Sequence, residues 1–519
     1  MTERCDVIVI GAGHNGLTCA TLLARSGLRV VVVERSDHVG GMADTREFAP
    51  GFRASGCGNF LYHVPGQFLD QMRLVSHGLT MDPRPLDTVA LDAHHAPRLI
   101  GLRATDGTAD VEHDAQEHWR ESMQRLASFM HQLGNAPPPR LHERDRNNTM
   151  SLARLGLALR RMGREDMREL LRLIGSNIYD VLDETLSDNM LKGAHALDAT
   201  LGTHMGPRSP GTMLTYLHRM GDGGGPRQPI GGLGALSEAL ANAAREAGVQ
   251  IRLDCAVERI DVDARRASGV TLGSGETLHA HHVVSAADPK TTLLQLLGAR
   301  HLETGFTRRV HHVRAKGTSA RLHLALKALP PAPAGREELL RQRMVFAPDM
   351  DFVERAFNPV KYGEASPEPV LEMALPTLAD PALAPTGQHV LSITAQYAPL
   401  RPAHGWSDLA REAYQSNILE SAERALPGLK AQIIHSELLV PDDIEQRFGC
   451  HGGHWHHGEL ALDQFLFTRP LAYAAQYATP VDDLFLCSAG THPGGHVSGR
   501  PGQLAAQAVL AARQNGSKP

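Results

Sequence analysis

Apolar residues along this chain change period several times, and the changes mark its organisation. Cys5 to Ile10 is a short β-branched run, followed by Gly11-Ala-Gly-His-Asn-Gly16 and an Ala/Leu-rich segment, Leu17 to Ser26, that predicts a helix. Gly27 supplies the helix stop, and Arg29 to Glu34 is a second buried strand ending in an acid. From Gln116 to Asn189 the period turns helical. Trp119, Met123, Leu126, Met130 and Leu133 form one stripe and Leu152, Leu155, Leu159 and Met162 another, with Pro137 to Pro139 between them. A helix over Ala235 to Ala247 precedes strand-like runs at Val249 to Leu253, Ala256 to Val262 and Ala267 to Leu272. A further strand ends at His282 to Ala287. Between Thr318 and Val440, Leu322, Leu324 and Leu326 alternate with their neighbours, as do Val390, Ser392 and Thr394, which predicts an antiparallel sheet. A helix over Asp408 to Leu426 follows Ser407 as N-cap. Leu484 to Cys487 reads as a last strand, and Pro501 to Arg513 as the closing helix.

Strand, glycine turn and helix thus recur at three separated places, which predicts an α/β fold with a Rossmann-like domain built from discontinuous segments. The expected division gives 1–75, 222–300 and 480–519 to that domain. Segments 76–221 and 301–479 go to a second, substrate-binding domain with an antiparallel sheet and a helical part at about 110–200.

The glycines carry the first chemistry. Gly11 allows the tight turn, Gly13 lets a pyrophosphate approach the backbone, and Gly16 lets helix pack on strand, with Ala12 and Asn15 completing the loop. A helix start then offers free N–H groups and a positive dipole end to phosphate. Glu34 is placed to accept ribose hydroxyls, favouring FAD or NAD over NADP, with Arg35 beside it. Gly40 and Gly41, before Met42, allow a second close approach of backbone to ligand. The reading places Val257 on a strand beside the first one, where its backbone meets an adenine edge. The loop after Cys487, with Gly490, Thr491, His496, Val497 and Ser498, leads into a helix whose N-terminus suits the negative charge on the N1/O2 side of a reduced flavin. That loop favours FAD over NAD. Gly221 to Gly225 is a further glycine-rich loop.

Composition narrows the partners. At 519 residues, 42% hydrophobic and net charge −5, the chain has no basic excess for nucleic acid. No stretch reaches the apolar length of a membrane span, although contact with a membrane surface through Leu152 to Ile174 is one reading of its arginine-bearing helix. The first strand starts within a few residues of Met1, so no signal peptide is expected. The six cysteines are scattered without CxxC spacing, as expected of reduced thiols in a cytoplasm.

With these segments in order, the chain resembles the phytoene-desaturase-like flavoprotein family, which includes carotenoid desaturases, carotenoid isomerases and retinol saturases. The likeness is carried by Gly11 to Gly16 with Glu34, Val39-Gly-Gly-Met42, Gly231-Gly-Leu-Gly234 through Val257, and Ala489-Gly-Thr-His-Pro-Gly-Gly495. Gly206 to Gly211, Asp380 to Pro385 and Arg469-Pro470 add to it. The resemblance implies one non-covalent FAD held by three chain segments, with a substrate domain over its isoalloxazine ring. Two positions depart from the family: Met42 stands where arginine is usual, and His496 where glycine is frequent.

A flavin takes up two electrons at N5, usually as hydride, and needs a protein base only where the substrate also loses an acidic proton. Candidates for proton acceptor or substrate hydrogen-bond partner are His456 and His457, from the cluster Cys450-His-Gly-Gly-His-Trp-His-His-Gly-Glu459. His451, His454 and Glu459 complete that cluster, whose spacing matches no regular metal-binding pattern, so no metal is expected. His496 is a candidate for stabilising an anionic reduced flavin, and His492 for positioning beside it. The expected activity is an FAD-dependent oxidoreductase of desaturase or dehydrogenase type, removing two hydrogens from a C–C or C–N bond of a small organic substrate. Oxygen, a quinone or another carrier would take the electrons. Alternatives are an amine or amino-acid oxidase, with Arg469 or Arg500 as carboxylate clamp, a redox-neutral flavin isomerase, and a non-catalytic flavin-binding scaffold.

Overall fold

Strands that are apolar on both faces need a sheet covered on both sides, and the first such run recruits the others. The computed structural model describes residues 5–62, 64–84, 86–101, 111–140, 146–221 and 225–516. Its strands are β1 (Cys5–Ile10), β2 (Val30–Val33), β3 (Thr45–Ala49), β4 (Phe52–Ser55), β5 (Thr88–Leu91), β6 (Arg98–Ile100), β7 (Gln250–Arg252), β8 (Val257–Asp263), β9 (Arg266–Leu272), β10 (Thr277–Ser285), β11 (Ser319–Leu326), β12 (Arg343–Phe346), β13 (Val370–Ala374), β14 (His389–Gln396), β15 (Ile433–Leu439) and β16 (Leu484–Leu486). The helices that bear on the site are α1 (His14–Arg25), α2 (Val111–Leu133), α3 (Arg146–Arg161), α4 (Arg164–Leu173), α5 (Asn189–Thr200), α6 (Thr212–Met220), α7 (Leu233–Glu246), α8 (Asp408–Ala425) and α9 (Arg500–Gly516).

The first sheet runs β7-β2-β1-β10-β9-β8, with β16 also on β10. β7, β2, β1, β10 and β16 are parallel, in register through Val7 with Val30, Val9 with Val284, and Ser285 with Leu486. Strands from three distant stretches of sequence therefore build one sheet. Val257 is not where its expected role placed it: β8 pairs with β9, at the end of the path, and not with β1. Its pattern, Val257-Glu-Arg-Ile-Asp-Val-Asp263, is half polar and suits an edge, whereas Val283 and Val284 of β10 are fully buried and take the place beside β1. The residues before Val257 nevertheless reach the acid end of β2, since Cys255 N–H donates to Glu34 O at 2.7 Å and Asp254 N–H to Ser36 O at 2.9 Å.

α1 packs between the sheet and α9 at backbone distance. A Cβ on Gly16 would lie 2.1 Å from Gly11 O, and one on Gly502 2.2 Å from Asn15 O. Apolar residues of α1, α7 and α9 share one core with β1 and β2.

The second sheet runs β15-β11-β14-β13-β12-β5-β6. Its pairings are antiparallel except that of β5 with β12, which is parallel, because β5 arrives from a remote stretch and not through a hairpin. The alternation over β11 predicts one wet face, yet every residue from Ser319 to Leu326 is buried. The polar positions lie beneath the β3–β4 hairpin and join each other: Arg321 donates to Thr394, to Asn59 Oδ1 at 2.6 Å and to Ser392 Oγ at 2.7 Å. Above this sheet lie α2 and α5–α6. Trp119, Met123, Leu126 and Met130 of α2 are buried, as their spacing predicts, whereas Leu152 of α3 is exposed. Ser407 caps α8 through its hydroxyl, as expected. Residues 222–224 of the glycine-rich loop lie outside the described residues. Among the described residues no helix is long and apolar enough to cross a membrane.

Candidate functional site

At the C-terminal end of β1 the chain turns at Gly11, whose φ of +96° favours glycine and whose N–H donates to Val33 O at 2.8 Å. Gly13 is the N-cap of α1, which has neither a capping side chain nor an acid in its first turn, so its leading N–H groups are left for an external anion. A Cβ on Gly13 would have its nearest neighbour, Gly40 O, 3.9 Å away, which leaves the space above it open. Gly40 forms a parallel bridge with Gly13 and donates to Ala12 O at 2.9 Å, so the two glycine turns lie side by side. Gly41, at φ +56°, abuts Gly13 Cα.

Glu34 is 7% exposed and is held in place by two backbone donors, Ala12 N–H at 2.7 Å and Ser36 N–H at 3.0 Å. Each oxygen keeps a second lone pair for a ligand hydroxyl. His14 Nε2 and Asn15 Oδ1 are buried polar atoms that no described residue satisfies. An uncapped helix start, an open glycine and orphaned polar atoms fit a dinucleotide pyrophosphate. The Arg35 guanidinium turns elsewhere, donating to Gln446 O and Arg447 O, and Met42 packs with Cys57, Ile444 and Cys450.

The C-terminal loop reaches the same end of the sheet because Cys487 N–H continues the pairing to Ser285 O. Gly490 sits against Pro289 and His457 O, and Thr491 is buried with its hydroxyl on Ser488 O. His492 is fixed to α2 by a 3.1 Å hydrogen bond between its Nε2 and Leu133 O. His496, at φ +47°, places Nε2 3.0 Å from His218 Nδ1 of α6, and the His456 ring lies 5.7 Å away. Val497 borders the core of the first sheet, and Ser498 Oγ accepts the Arg500 N–H.

The structure thus brings His456 and His496 together. Burial first, then the Coulombic effect of His457, holds His14 down to about 4, and burial also lowers His456 and His457. These rings are neutral at pH 7 and are proton acceptors or neutral donors, not cations. Arg469 does not act as the expected carboxylate clamp. Its terminal nitrogens donate to the carbonyls of His456, Gly458, Glu459, Gln464 and Ala489, tying the histidine segment to the C-terminal loop. Among the described residues no group of three His, Cys, Asp or Glu is placed to hold a metal ion.

A site that the sequence did not reveal lies one residue away. Tyr62, whose ring is 6.4 Å from that of His496, lines a cavity between α2, α5, α6 and the ends of β5 and β12. Two arginines and two carboxylates interlock at its base. Arg343 donates to Glu372 at 2.7 Å and to Asp198 at 2.5 Å; Arg219 donates to the same two at 2.8 and 3.0 Å and stacks over Tyr62. Burial raises the Asp198 and Glu372 carboxyls, but the Arg343 and Arg219 charges outweigh it and hold both below their usual range. All four are ionised and their charges cancel. The available signal was a charge inside an apolar strand, Arg343 at the head of Met-Val-Phe346 and Glu372 within Val370 to Ala374, since such charges are buried only when paired.

Comparison with known proteins agrees with this construction. Residues 16–510 match the flavin containing amine oxidoreductase family. The chain is 31% identical to the rat (Rattus norvegicus) protein "Pyridine nucleotide-disulfide oxidoreductase domain-containing protein 2", over 97% of this chain and 93% of that one. It is 26% identical to a neurosporene-forming phytoene desaturase of Cereibacter sphaeroides, over 97% and 94% of the two chains. Among solved structures, cyclohexylamine oxidase from Brevibacterium oxydans shares the fold, with a TM-score of 0.60 at 16% identity, over 99% of this chain and all of that one. The chain belongs to the flavin containing amine oxidoreductase family and is an FAD-dependent oxidoreductase.

Proposed function

We propose that this enzyme removes two hydrogens from a C–C bond of an uncharged, largely apolar substrate held in the cavity beneath Tyr62. The observation that carries the reading is the closed charge balance at the floor of that cavity, where Arg219 and Arg343 are matched by Asp198 and Glu372; the other charged residues of its lining, Asp87 and Arg120, are again one of each sign. The amine and amino-acid alternatives need an unspent charge facing the substrate, which the mutually paired floor does not offer. Bound FAD supplies a two-electron acceptor for a substrate hydride. Within this reading Gly11, Ala12, Gly13, Asn15, Gly16, Gly40 and Gly41 receive the pyrophosphate and Glu34 the ribose. Gly490, Thr491, His496, Val497 and Ser498 border the ring system, while the backbone of Arg35 and Met42 lines the route between. His456 and His457, neutral and half-buried, are the groups able to take a proton.

The domain division at 1–75, 222–300 and 480–519 is part of the proposal, supported by the strands these segments give to the first sheet. Contact with a lipid surface through α3 and α4 is proposed from the exposure of Met150, Leu152, Leu157 and Leu171 among exposed Arg154, Arg160, Arg161 and Arg168. A reducing compartment suits the six cysteines, none of which is in a disulfide. The test is anaerobic mixing of the FAD-loaded enzyme with neutral polyenes or cyclic terpenes and with alkylamines. Bleaching of the flavin absorbance by the neutral compounds and not by the amines is expected, and bleaching by amines alone would overturn the C–C assignment. Peroxide release in air then separates oxygen from a quinone or other carrier as electron acceptor.

A further inference from the structure

Three side chains above the charge-balanced floor of the cavity form a directed chain of hydrogen bonds. Trp119 Nε1 lies 3.0 Å from Tyr216 Oη, and Tyr216 Oη lies 3.0 Å from His195 Nδ1. An indole N–H only donates, so Tyr216 Oη accepts from Trp119. Its own proton then has one acceptor among the described residues, His195 Nδ1. If Nδ1 carried the proton instead, the Tyr216 O–H would be stranded in a buried site. Nδ1 is therefore the bare nitrogen, and the ring proton of His195 is on Nε2. Burial keeps this ring neutral, with its value lowered to about 4. His195 is 6% exposed and lines the cavity, and its Nε2 is a buried polar atom with no partner among the described residues. A relay that ends in an unused N–H donor is incomplete without a ligand acceptor.

We propose that the His195 Nε2–H is a substrate-recognition donor for an uncharged oxygen acceptor, a carbonyl, ether or hydroxyl oxygen, on an otherwise apolar substrate. The inference rests on the C–C reading above and deepens it by naming a functional group that the substrate carries. The floor reinforces it: Arg219 and Arg343 spend their donors on Asp198, Glu372, Tyr62 and Thr88, which leaves His195 as the buried residue of the lining with an unspent donor, Gln116, Arg120 and Gln124 being half-buried on α2. Trp119 and Tyr216 are positioning residues that fix which imidazole nitrogen bears the proton.

The probes are 2-nonanone, an acceptor only, with nonane, nonylamine and nonanoate as comparators, titrated into oxidised FAD-loaded enzyme. Binding is read as quenching of tryptophan fluorescence, Trp119 being on the cavity wall. The ratio of the ketone and alkane dissociation constants is expected to move roughly tenfold against the ketone in His195→Phe, the worth of one hydrogen bond made in an apolar site. His195→Gln, which retains an N–H donor, is expected to keep most of the wild-type ratio, and this guards against a merely misfolded His195→Phe. Tyr216→Phe, which frees the tautomer, is expected to fall between them. An unchanged ratio in His195→Phe, tighter binding of nonylamine or nonanoate than of the ketone, or no binding of any probe would overturn the proposal. The outcome is separable from the C–C reading, which fails only by the anaerobic bleaching test and does not depend on the fluorescence titration.

Discussion

Gly13→Ala and Gly16→Ala add the same methyl group three residues apart, and the geometry predicts opposite consequences for the protein without FAD. Gly13 has φ −72° and ψ 167°, an extended conformation open to any residue. The nearest atom to its added Cβ is Gly40 O at 3.9 Å, ordinary van der Waals contact. The apoprotein therefore gains up to about 0.4–1 kcal/mol, from reduced freedom of the unfolded chain. At Gly16 the Cβ falls 2.1 Å from Gly11 O and 3.2 Å from Ala286 Cβ. Gly11 O is backbone in a tight turn, so α1 has to move off the sheet by about 1 Å, at a cost of about 1–3 kcal/mol or more.

FAD affinity falls in both variants, for different reasons. In Gly13→Ala the methyl occupies the approach to the first N–H groups of α1. Losing one charge-assisted hydrogen bond there costs about 1.5–3 kcal/mol, roughly a tenfold to hundredfold rise in Kd. In Gly16→Ala the cradle itself is displaced. Urea unfolding of the apoproteins, with titration by flavin fluorescence quenching, reads both quantities. Gly13→Ala with wild-type FAD affinity would refute a pyrophosphate over Gly13, and Gly13→Ala as unstable as Gly16→Ala would refute the packing argument.

Three further outcomes follow from the same geometry. Arg343→Met removes a partner of both Asp198 and Glu372 and strands buried charge, so thermal unfolding should report a loss of about 3–5 kcal/mol; a loss below about 1 kcal/mol contradicts the network. His195, His454 and His492 are buried neutral, lowered by burial to about 4, 3 and 4, so each contributes stability that is complete above pH 6.5 and lost as the pH falls toward those values, where the unfolded chain binds the extra proton. The three together should give a slope of about 4 kcal/mol per pH unit between pH 6 and 4, and a flat urea midpoint across that range is the contrary result. His496→Gly relieves a positive φ but removes the partner of His218, and stopped-flow flavin reduction should slow, whereas an unaltered rate removes His496 from the chemistry.

The cofactor cradle was legible in the sequence because backbone conformation dictates its residues. A positive φ at Gly11 and a backbone contact at Gly16 demand glycine locally, and that demand shows as a motif at fixed spacing beside a β-branched run. Val257 was misplaced for the converse reason. Which strand neighbours β1 depends on how β8, β9 and β10 fold back on one another, a competition among several runs that no single run encodes. The parallel pairing of β5 with β12 was hidden in the same way, its partners being more than two hundred residues apart.

The proposed substrate cavity was illegible for a deeper reason, which also bears on its selectivity. Its polar groups come from α2, α5, α6, β12, β13 and the loop at Tyr62, one or two residues from each, and they satisfy one another instead of a shared local pattern. Trp119 even conforms to the core stripe of α2, since its indole is buried like its neighbours and only its N–H differs. A cofactor common to a whole family is held by backbone and so leaves a repeated signature, while a substrate is held by side chains that can be exchanged singly without disturbing the sheet. In this chain the exchangeable layer is a neutral salt-bridge floor and one oriented imidazole. Selectivity should therefore respond to His195, Tyr216 and Trp119 while FAD affinity does not, and the cradle variants should do the reverse.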